Sequence, residues 1–470
     1  MSGYDKMAAD TPRILIAGDR SSSGKTTIVA GLLSALRGRG LAVQPFKVAM
    51  DYIDPSYHTW ITGRSCRNLD GHLMTEAAVQ EIYAHAVGDA AGKADIAVIE
   101  GVRGLYEGAE GDAGSTAQIA KLLRTPVIFV VDARSITRSC AALVKGYMDF
   151  DPLVDFRGVI LNKVGSERHA QKAIAEIERY AGVEVVGVIR RNEEMHLAMR
   201  HLGLVPVLEG RARHEGFPER VDRIRQIVEE GLNLDRIMQI AREAEPLPEV
   251  QPDLYRQNAD GKGLRIGVAR DEAFNFYYRD NLEMMELAGA KVVPFSPVHD
   301  AALPQVDGIY IGGGYPELYA RELSENAGMR RSLEKAHERD LPIFAECGGL
   351  MYLAREIEWD GERQEMVGLV PGKARRGSRR IVSYVHGQIT QDCALGKAGT
   401  AIMGHEFHHS EMVMDGGVKY AIRLERGTGI QDGWDGMCQG NMVASYTHIH
   451  SASFREFPAQ FIRACRSRKG

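Results

Sequence analysis

At 470 residues, 44% hydrophobic and 26% charged, the chain is long enough for two or three domains with ordinary buried cores. A formal net charge of -5 excludes a nucleic-acid partner held by a global basic field, so any anion must be bound locally. The start MSGYDKMAADTPR has no basic, apolar leader pattern, and runs such as VIFVV at 127–131 are too short to cross a bilayer. A cytoplasmic protein with no membrane partner is expected. The six cysteines show no CxxC spacing, which argues against a zinc site and a disulfide framework.

In chain order, residues 13–240 alternate short apolar runs with amphipathic stretches: RILIAG, AVQPFKV, ADIAVIE, PVIFVV, GVILNKV and VEVVGVI, each followed by a helical pattern. That alternation predicts a parallel α/β domain over 1–243. The strand RILIAG runs into Gly18-Asp19-Arg20-Ser21-Ser22-Ser23-Gly24-Lys25-Thr26. Five residues separate the two glycines where the common phosphate loop has four. Backbone N–H groups at such a loop and helix start bind phosphate oxygens, Lys25 adds a point charge, and the Thr26 hydroxyl is placed to ligate magnesium. ATP or a related nucleotide is the expected ligand.

Glu100 ends the strand ADIAVIE, at the carboxyl edge where parallel sheets present ligands. Asp51 and Asp54, in AMDYIDPSYH after the predicted strand VQPFKV, are further magnesium candidates, with a helix cap or turn as the alternative for each. Asn162 ends GVILN, where its amide either reads an adenine edge or forms a turn.

From 244 to 262, AEPLPEVQPDLYRQNADGK carries three prolines and no sustained period, which predicts a linker. A second α/β alternation over 263–470 follows, with LRIGVAR, KVVPFS, DGIYIGGG, LPIFAECGG and β-like stretches near 381–389 and 440–448. Within it, Cys347 stands between an apolar strand and a helix-like run, with Gly348 and Gly349 allowing a tight turn. This pattern holds a nucleophile at the positive end of a helix, where the thiolate is favoured; a buried structural cysteine is the alternative. Backbone amides of Gly312, Gly313 and Gly314 are candidates for an oxyanion hole with the N–H of Gly348, and His448 is a candidate base. Such a set suits a glutamyl thioester and release of ammonia. The segment 373–380, KARRGSRR, has five cations, suited to binding carboxylates or to being a solvated face.

Together the motifs AGDRSSSGKTT, QPFKVAMDYIDPSYH, SCRNLDGHL, EGVRGLYEG, TPVIFVVDARS, GVILNKV, MRHLGLVP, GGGYPELYA, FAECGGLMYL and ASYTHIHS resemble the cobyrinic acid a,c-diamide synthase family over nearly the whole chain. The resemblance implies a dethiobiotin-synthetase-like ATP domain joined to a class I glutamine amidotransferase domain. It implies ATP binding at Gly18, Ser22, Ser23, Gly24, Lys25, Thr26, Thr27 and Asn162, and magnesium at Thr26, Asp51, Asp54 and Glu100. It places Asp51, Tyr52, Asp54, Arg103 and Glu107 near phosphoryl transfer and substrate. Cys347 would form the thioester and His448 would handle its proton, with L-glutamine as nitrogen donor and a tetrapyrrole polycarboxylate as acceptor.

Class I enzymes usually carry glutamate two positions after the histidine; His450 stands there. Family members acting on cobyrinate usually read GPDYIDP and EGVMGLFDG, where this chain has Ala49-Met50 before Asp51 and EGVRGLYEG. Those departures resemble the branch that amidates Ni-sirohydrochlorin, which is the expected substrate, with cobyrinate as the alternative. A P-loop switch protein with a degenerate amidotransferase module is the rival of another class. A homodimer is left open.

Overall fold

The computed structural model describes residues 11–88, 92–192, 195 and 216–469, and the chain divides into two compact units, Met1–Pro252 and Asp253–Gly470. The motif MRHLGLVP at 199–206 lies outside the described residues.

Among the described residues of the first unit, strands β1 (Arg13–Gly18), β2 (Val43–Val48), β3 (Arg67–Leu69), β4 (Ile96–Glu100), β5 (Val127–Asp132), β6 (Phe156–Val164) and β7 (Val185–Arg190) form one sheet. Their order is β3-β2-β4-β1-β5-β6-β7, and every pairing is parallel. Strands β1, β2, β4 and β5 are buried at every residue, which explains why they read as continuous apolar runs. The helices are α1 (Lys25–Gly38), α2 (Ile53–Thr62), α3 (Glu76–Val87), α4 (Thr116–Leu122), α5 (Arg138–Phe150), α6 (Glu167–Ala181), α7 (Phe217–Gly231) and α8 (Leu234–Arg242). A Cβ at Gly31 would come within 2.4 Å of Val228 Cγ2, so this glycine lets α1 and α7 pack closely.

The second unit has strands β8 (Arg265–Ala269), β9 (Phe274–Phe276), β10 (Lys291–Phe295), β11 (Gly308–Ile311), β12 (Gly313–Gly314), β13 (Ile343–Glu346), β14 (Ala354–Trp359) and β15 (Glu362–Glu365). Then come β16 (Val370–Ile389), β17 (Ala401–Met414), β18 (Lys419–Arg426), β19 (Trp434–Gln439) and β20 (Met442–Ser445). Helices are α9 (Arg279–Leu287), α10 (Ala320–Glu325), α11 (Ala327–Glu338), α12 (Gly348–Leu353) and α13 (Glu456–Lys469), with a 3-10 turn at Pro316–Tyr319. The main sheet runs β10-β8-β11-β13-β20 in parallel and continues through β19, β18 and β16 in antiparallel pairing. One apolar cluster holds Ile311, Leu350 and Tyr446, and a second holds Tyr310, Phe344 and Phe457.

Two features depart from the expectations. The 20-residue β16 pairs β17 from Gly372 to Gln388, so the basic segment 373–380 is strand and bulge. Residues 244–262 are pinned at several points: the Glu245 carbonyl accepts from Arg13, and the buried Tyr255 hydroxyl donates to Asp280.

Candidate active sites

In the first unit, the loop after β1 is shaped by two glycines. A Cβ at Gly18 would meet Ser23 Oγ at 2.4 Å, and one at Gly24, whose φ is 98°, would meet Asn162 Nδ2 at 2.2 Å. Asn162 Nδ2 donates to the Ser23 carbonyl at 2.7 Å while its Oδ1 accepts from Lys163 N, so this side chain props the loop from below. Lys163 Nζ donates to the Ser22 carbonyl at 2.7 Å. Thr27 is buried in the first turn of α1.

Lys25 Nζ donates to the carbonyls of Arg20, at 3.1 Å, and Arg103, at 2.5 Å. Burial, with Lys47 adding to it, lowers its ammonium to about 8, although Glu100, Asp19 and Asp54 oppose the shift. The Arg103 backbone is left-handed at φ 48°, which presents its carbonyl to Lys25, while the side chains of Arg103 and Glu107 are exposed.

Beneath the loop lies an ionic cluster. Thr26 Oγ1 donates to Glu100 Oε1 at 2.6 Å and lies 3.3 Å from Asp54 Oδ2. Lys47 Nζ bridges the same two acids, at 2.6 Å from Asp54 and 2.8 Å from Glu100, and His58 Nε2 meets the other Glu100 oxygen. Burial opposes ionisation of Glu100, but Lys47 and His58 overcome it and hold the carboxyl well below its usual range. Burial likewise opposes the Lys47 charge, and Asp54, Glu100 and Asp51 hold it firmly protonated. The sequence reading missed Lys47 and His58; the signal was a lone lysine in the apolar strand VQPFKV.

Asp51 acts on this network through its charge, while its hydrogen bond goes to the backbone. Its Oδ1 accepts the Ile53 N–H at 2.8 Å, capping the start of α2, while burial and Asp54 push its carboxyl up to about 7. Tyr52 is buried beside it. Among the described residues no group of three or more His, Cys, Asp or Glu could by itself hold a metal ion. Thr26, Asp54 and Glu100 nevertheless form a hard-oxygen donor set suited to magnesium, which usually takes one or two protein carboxylates plus phosphate oxygens and water.

In the second unit, Cys347 sits at the β13-to-α12 turn with φ 49° and ψ -97°, a strained backbone that turns its side chain out of the strand path. Its N–H donates to the Ser445 carbonyl at 2.7 Å, joining it to the end of β20, and Sγ lies 3.7 Å from the Phe407 carbonyl. A Cβ at Gly348 would lie 2.9 Å from Gly314 N, so the proposed oxyanion glycines are adjacent. Gly313 faces the His448 ring, where a Cβ would meet Cε1 at 2.6 Å. The Gly312 N–H donates to the Tyr277 hydroxyl at 2.7 Å, which removes it from an oxyanion role.

The expected low thiol pKa is overturned. Burial pushes the Cys347 thiol well above its usual value, and Glu317, Glu346 and Glu406 add to the shift. A six-residue helix contributes little field against burial and three acids. His448 is shifted in the opposite sense: burial, with His405 and His408, holds it well below its usual value. Both shifts favour the uncharged forms, a thiol at Cys347 and an imidazole at His448.

His448 is held by its surroundings. Its backbone exchanges hydrogen bonds with His405, at 2.8 and 3.1 Å, and the two rings stack 5.0 Å apart. His405 Nε2 meets the Tyr278 hydroxyl at 2.5 Å. Glu346, next to the nucleophile, accepts the Ile449 N–H at 2.8 Å and the Tyr310 hydroxyl at 2.7 Å, while burial raises its carboxyl to about 8. Asp435 accepts the N–H groups of Tyr446 and Thr447. His450, standing where class I enzymes carry glutamate, pairs with the buried Asp280 at 3.2 Å. Sequence reasoning missed Glu346, His405 and Asp435; only Glu346 left a signal, an acid inside an apolar strand.

In the basic segment, Lys373 pairs with Glu358, Arg375 with Glu411 and Arg376 with Asp360, so much of its charge is already matched.

Two family models match the chain. One describes a CobQ/CobB/MinD/ParA nucleotide binding domain and covers residues 14–205; the other describes a CobB/CobQ-like glutamine amidotransferase domain and covers 265–456. The cobyrinate a,c-diamide synthase of Methanosarcina barkeri is 54% identical, over 98% of this chain and 98% of its own length. That of Methanothermobacter thermautotrophicus is 44% identical over 96% and 99%, and that of Listeria innocua 42% over 93% and 96%.

Proposed function

From the premise that the chain belongs to the cobyrinate a,c-diamide synthase family and is a glutamine-hydrolysing, ATP-dependent ligase, we propose that its substrate is cobyrinate, amidated on the a and c acetates. The relatives' names support this reading over Ni-sirohydrochlorin, and they span methanogens and Listeria alike. The departures that favoured the nickel substrate weigh less, because the side chains of Arg103 and Glu107 are exposed and only the Arg103 carbonyl touches the Lys25 network.

A carboxylate is a poor acyl donor at neutral pH, so the first unit converts each acetate to an acyl phosphate. Lys25 and the loop amides hold the phosphates, and Asn162 keeps the loop in shape. Magnesium, held by Thr26, Asp54 and Glu100, supplies neutralisation of phosphate charge when bound. Lys47 fixes the two acids in position. In the second unit Cys347 attacks the side-chain amide of glutamine and passes its proton to His448. The N–H groups of Gly314 and Gly348 stabilise the developing oxyanion, worth roughly 3–4 kcal/mol per donor. Ammonia released there aminates the acyl phosphate. A cytoplasmic location goes with such metabolite chemistry.

The observation that carries this reading is a cysteine elbow backed by Gly314 in a chain that also holds a phosphate loop over Glu100. The test offers cobyrinate, sirohydrochlorin and its nickel complex with ATP and glutamine, and follows ADP and diamide by mass spectrometry. Amidation of the nickel complex alone would return the substrate to that branch. Absence of both amidation and glutamine hydrolysis would favour the switch protein.

A further inference from the structure

The β16–β17 ribbon carries an irregularity beside the nucleophile. Arg376 pairs with Ser410 and Ile381 with His408, so Gly377, Ser378, Arg379 and Arg380 all stand opposite the single residue His409. Bulges of this kind recur next to active sites, where they re-aim side chains. Here the bulge flanks Phe407, whose carbonyl lies 3.7 Å from Cys347 Sγ and whose ring lies 6.0 Å from the Arg380 guanidinium. Arg376 stacks on Trp359 at 4.9 Å and reaches Asp360 at 3.0 Å.

On another side of Cys347 is the turn Pro316–Tyr319. Pro316 Cδ lies 3.0 Å from where a Cβ on Gly348 would be, which places Glu317 next to the elbow. Burial raises the Glu317 carboxyl to about 7, with Arg376 the cation that opposes the shift, and Glu317 is the acid acting most strongly on the Cys347 thiol. The mechanism above gives neither Glu317 nor the bulge a task.

We propose that Glu317 and the bulge arginines Arg376 and Arg380 form the recognition subsite for the glutamine zwitterion, Glu317 taking the α-ammonium and the arginines the α-carboxylate. The inference rests on Cys347 acting as a glutaminase. Three carbon–carbon bonds, about 4 Å in extent, separate the amide carbon of glutamine from its α-carbon, so its two charges must fall close to Cys347. An acid in the turn against the elbow, and arginines on the bulge that flanks the Phe407 carbonyl next to Sγ, match that demand, and guanidinium forks suit carboxylates. The α-carboxylate would replace Asp360 on Arg376. This assigns the basic segment to glutamine instead of to the carboxylates of the tetrapyrrole.

The test measures hydrolysis of three amides by the full chain: L-glutamine, 5-amino-5-oxopentanoate, which lacks the α-amino group, and 4-aminobutanamide, which lacks the α-carboxylate. Glu317→Gln is expected to raise KM for glutamine about 10-fold or more, with a smaller change in kcat, while KM for 5-amino-5-oxopentanoate moves less than about twofold. Glu317→Asp should recover part of the loss. The double variant Arg376→Met with Arg380→Met should show the mirror pattern, weak on glutamine and unchanged on 4-aminobutanamide. Thermal melting of each variant checks its fold. Equal KM rises on all three amides, or a rise only for the tetrapyrrole acid, would overturn the subsite. A wild-type chain that hydrolyses no glutamine would instead overturn the glutaminase reading on which it rests.

Discussion

The two units hold their reactive groups in opposite electrostatic states. Under the phosphate loop, Lys47 lies 2.6 Å from the half-buried Asp54 and 2.8 Å from the buried Glu100, with Lys25 close enough to feel them. Around Cys347, burial keeps the thiol protonated and His448 uncharged, and pushes Glu346 towards its neutral acid form. The difference follows from the chemistry. A transferring phosphoryl group carries its charge before and during reaction, so its site needs opposing charge fixed in advance. In the proposed mechanism the thioester forms from neutral partners, so a dry site creates charge only at attack. In the first site Asp54 and Glu100 share a cation; Glu346 and Asp435 in the second instead accept N–H and O–H donors from the backbone and side chains that position the histidine.

The largest effects separate the two sites outright. Cys347→Ala should lower glutamine-dependent amidation by roughly 10^4-fold or more yet keep ammonia-dependent amidation, whereas Lys25→Ala should lose both. Rates with each nitrogen donor decide it, and a cysteine variant that uses glutamine normally would sink the assignment. Next in size is Lys47→Met, which leaves the buried Glu100 and the half-buried Asp54 without their shared cation. Removing one partner of a buried pair costs about 3–5 kcal/mol, so both the melting temperature and the ammonia-dependent rate should fall. A variant of wild-type stability and rate would show that the ionic account of the first site is wrong.

The same contrast can be read in pH. Burial lowers Lys25 to about 8, so its charge is present below that pH and lost above it. The KM for ATP should therefore rise as pH passes 8, measured with ammonia as donor so that Cys347 plays no part. Glu346 tests the other site with the opposite sign. Its carboxyl titrates at about 8 when folded, against roughly 4.3 when unfolded. Between those values the folded state holds the extra proton, so the stability this group contributes is full below the unfolded value and is lost as pH rises through 8. Glu346→Gln should flatten the melting temperature against pH over that window, relative to wild type; an unchanged slope would remove Glu346 from the account.

What could be read in sequence was what backbone geometry dictates. Gly18 and Gly24 have no room for a side chain, so the loop must announce itself, and Cys347 followed by two glycines marks a turn that few residues tolerate. Lys47 and Glu346 show in sequence only as charges inside apolar strands, and His58 not at all, because each draws its role from partners brought up by the fold, up to 103 positions away for Glu346 and Ile449. The direction of the Cys347 shift was misread for the same reason: the helix start is visible in CGG, while Glu317 and Glu406 are not. The β16–β17 ribbon escaped because KARRGSRR has the composition of a solvated loop and itself carries the bulge that interrupts the pairing with β17.

The smallest effect tests a feature the two sites share. Each turns its chain with a non-glycine residue in the left-handed region just after a strand, Ala49 at φ 69° beyond β2 and Cys347 at φ 49° beyond β13. At 347 the strain holds the side chain proposed as nucleophile, so on that reading it cannot be relieved without losing glutamine use. At 49 the methyl group makes no such contribution; what matters there is the backbone, whose carbonyl accepts from Asn68 at 2.9 Å and leads into Asp51. Ala49→Gly should therefore stabilise the chain, by about 1 kcal/mol at most once the greater freedom of glycine in the unfolded state is counted. Cys347→Gly relieves the same kind of strain but removes glutamine use. A melting temperature for Ala49→Gly below that of wild type would mean that the alanine methyl packs against the acidic loop and that the left-handed turn is not where the first site stores its strain.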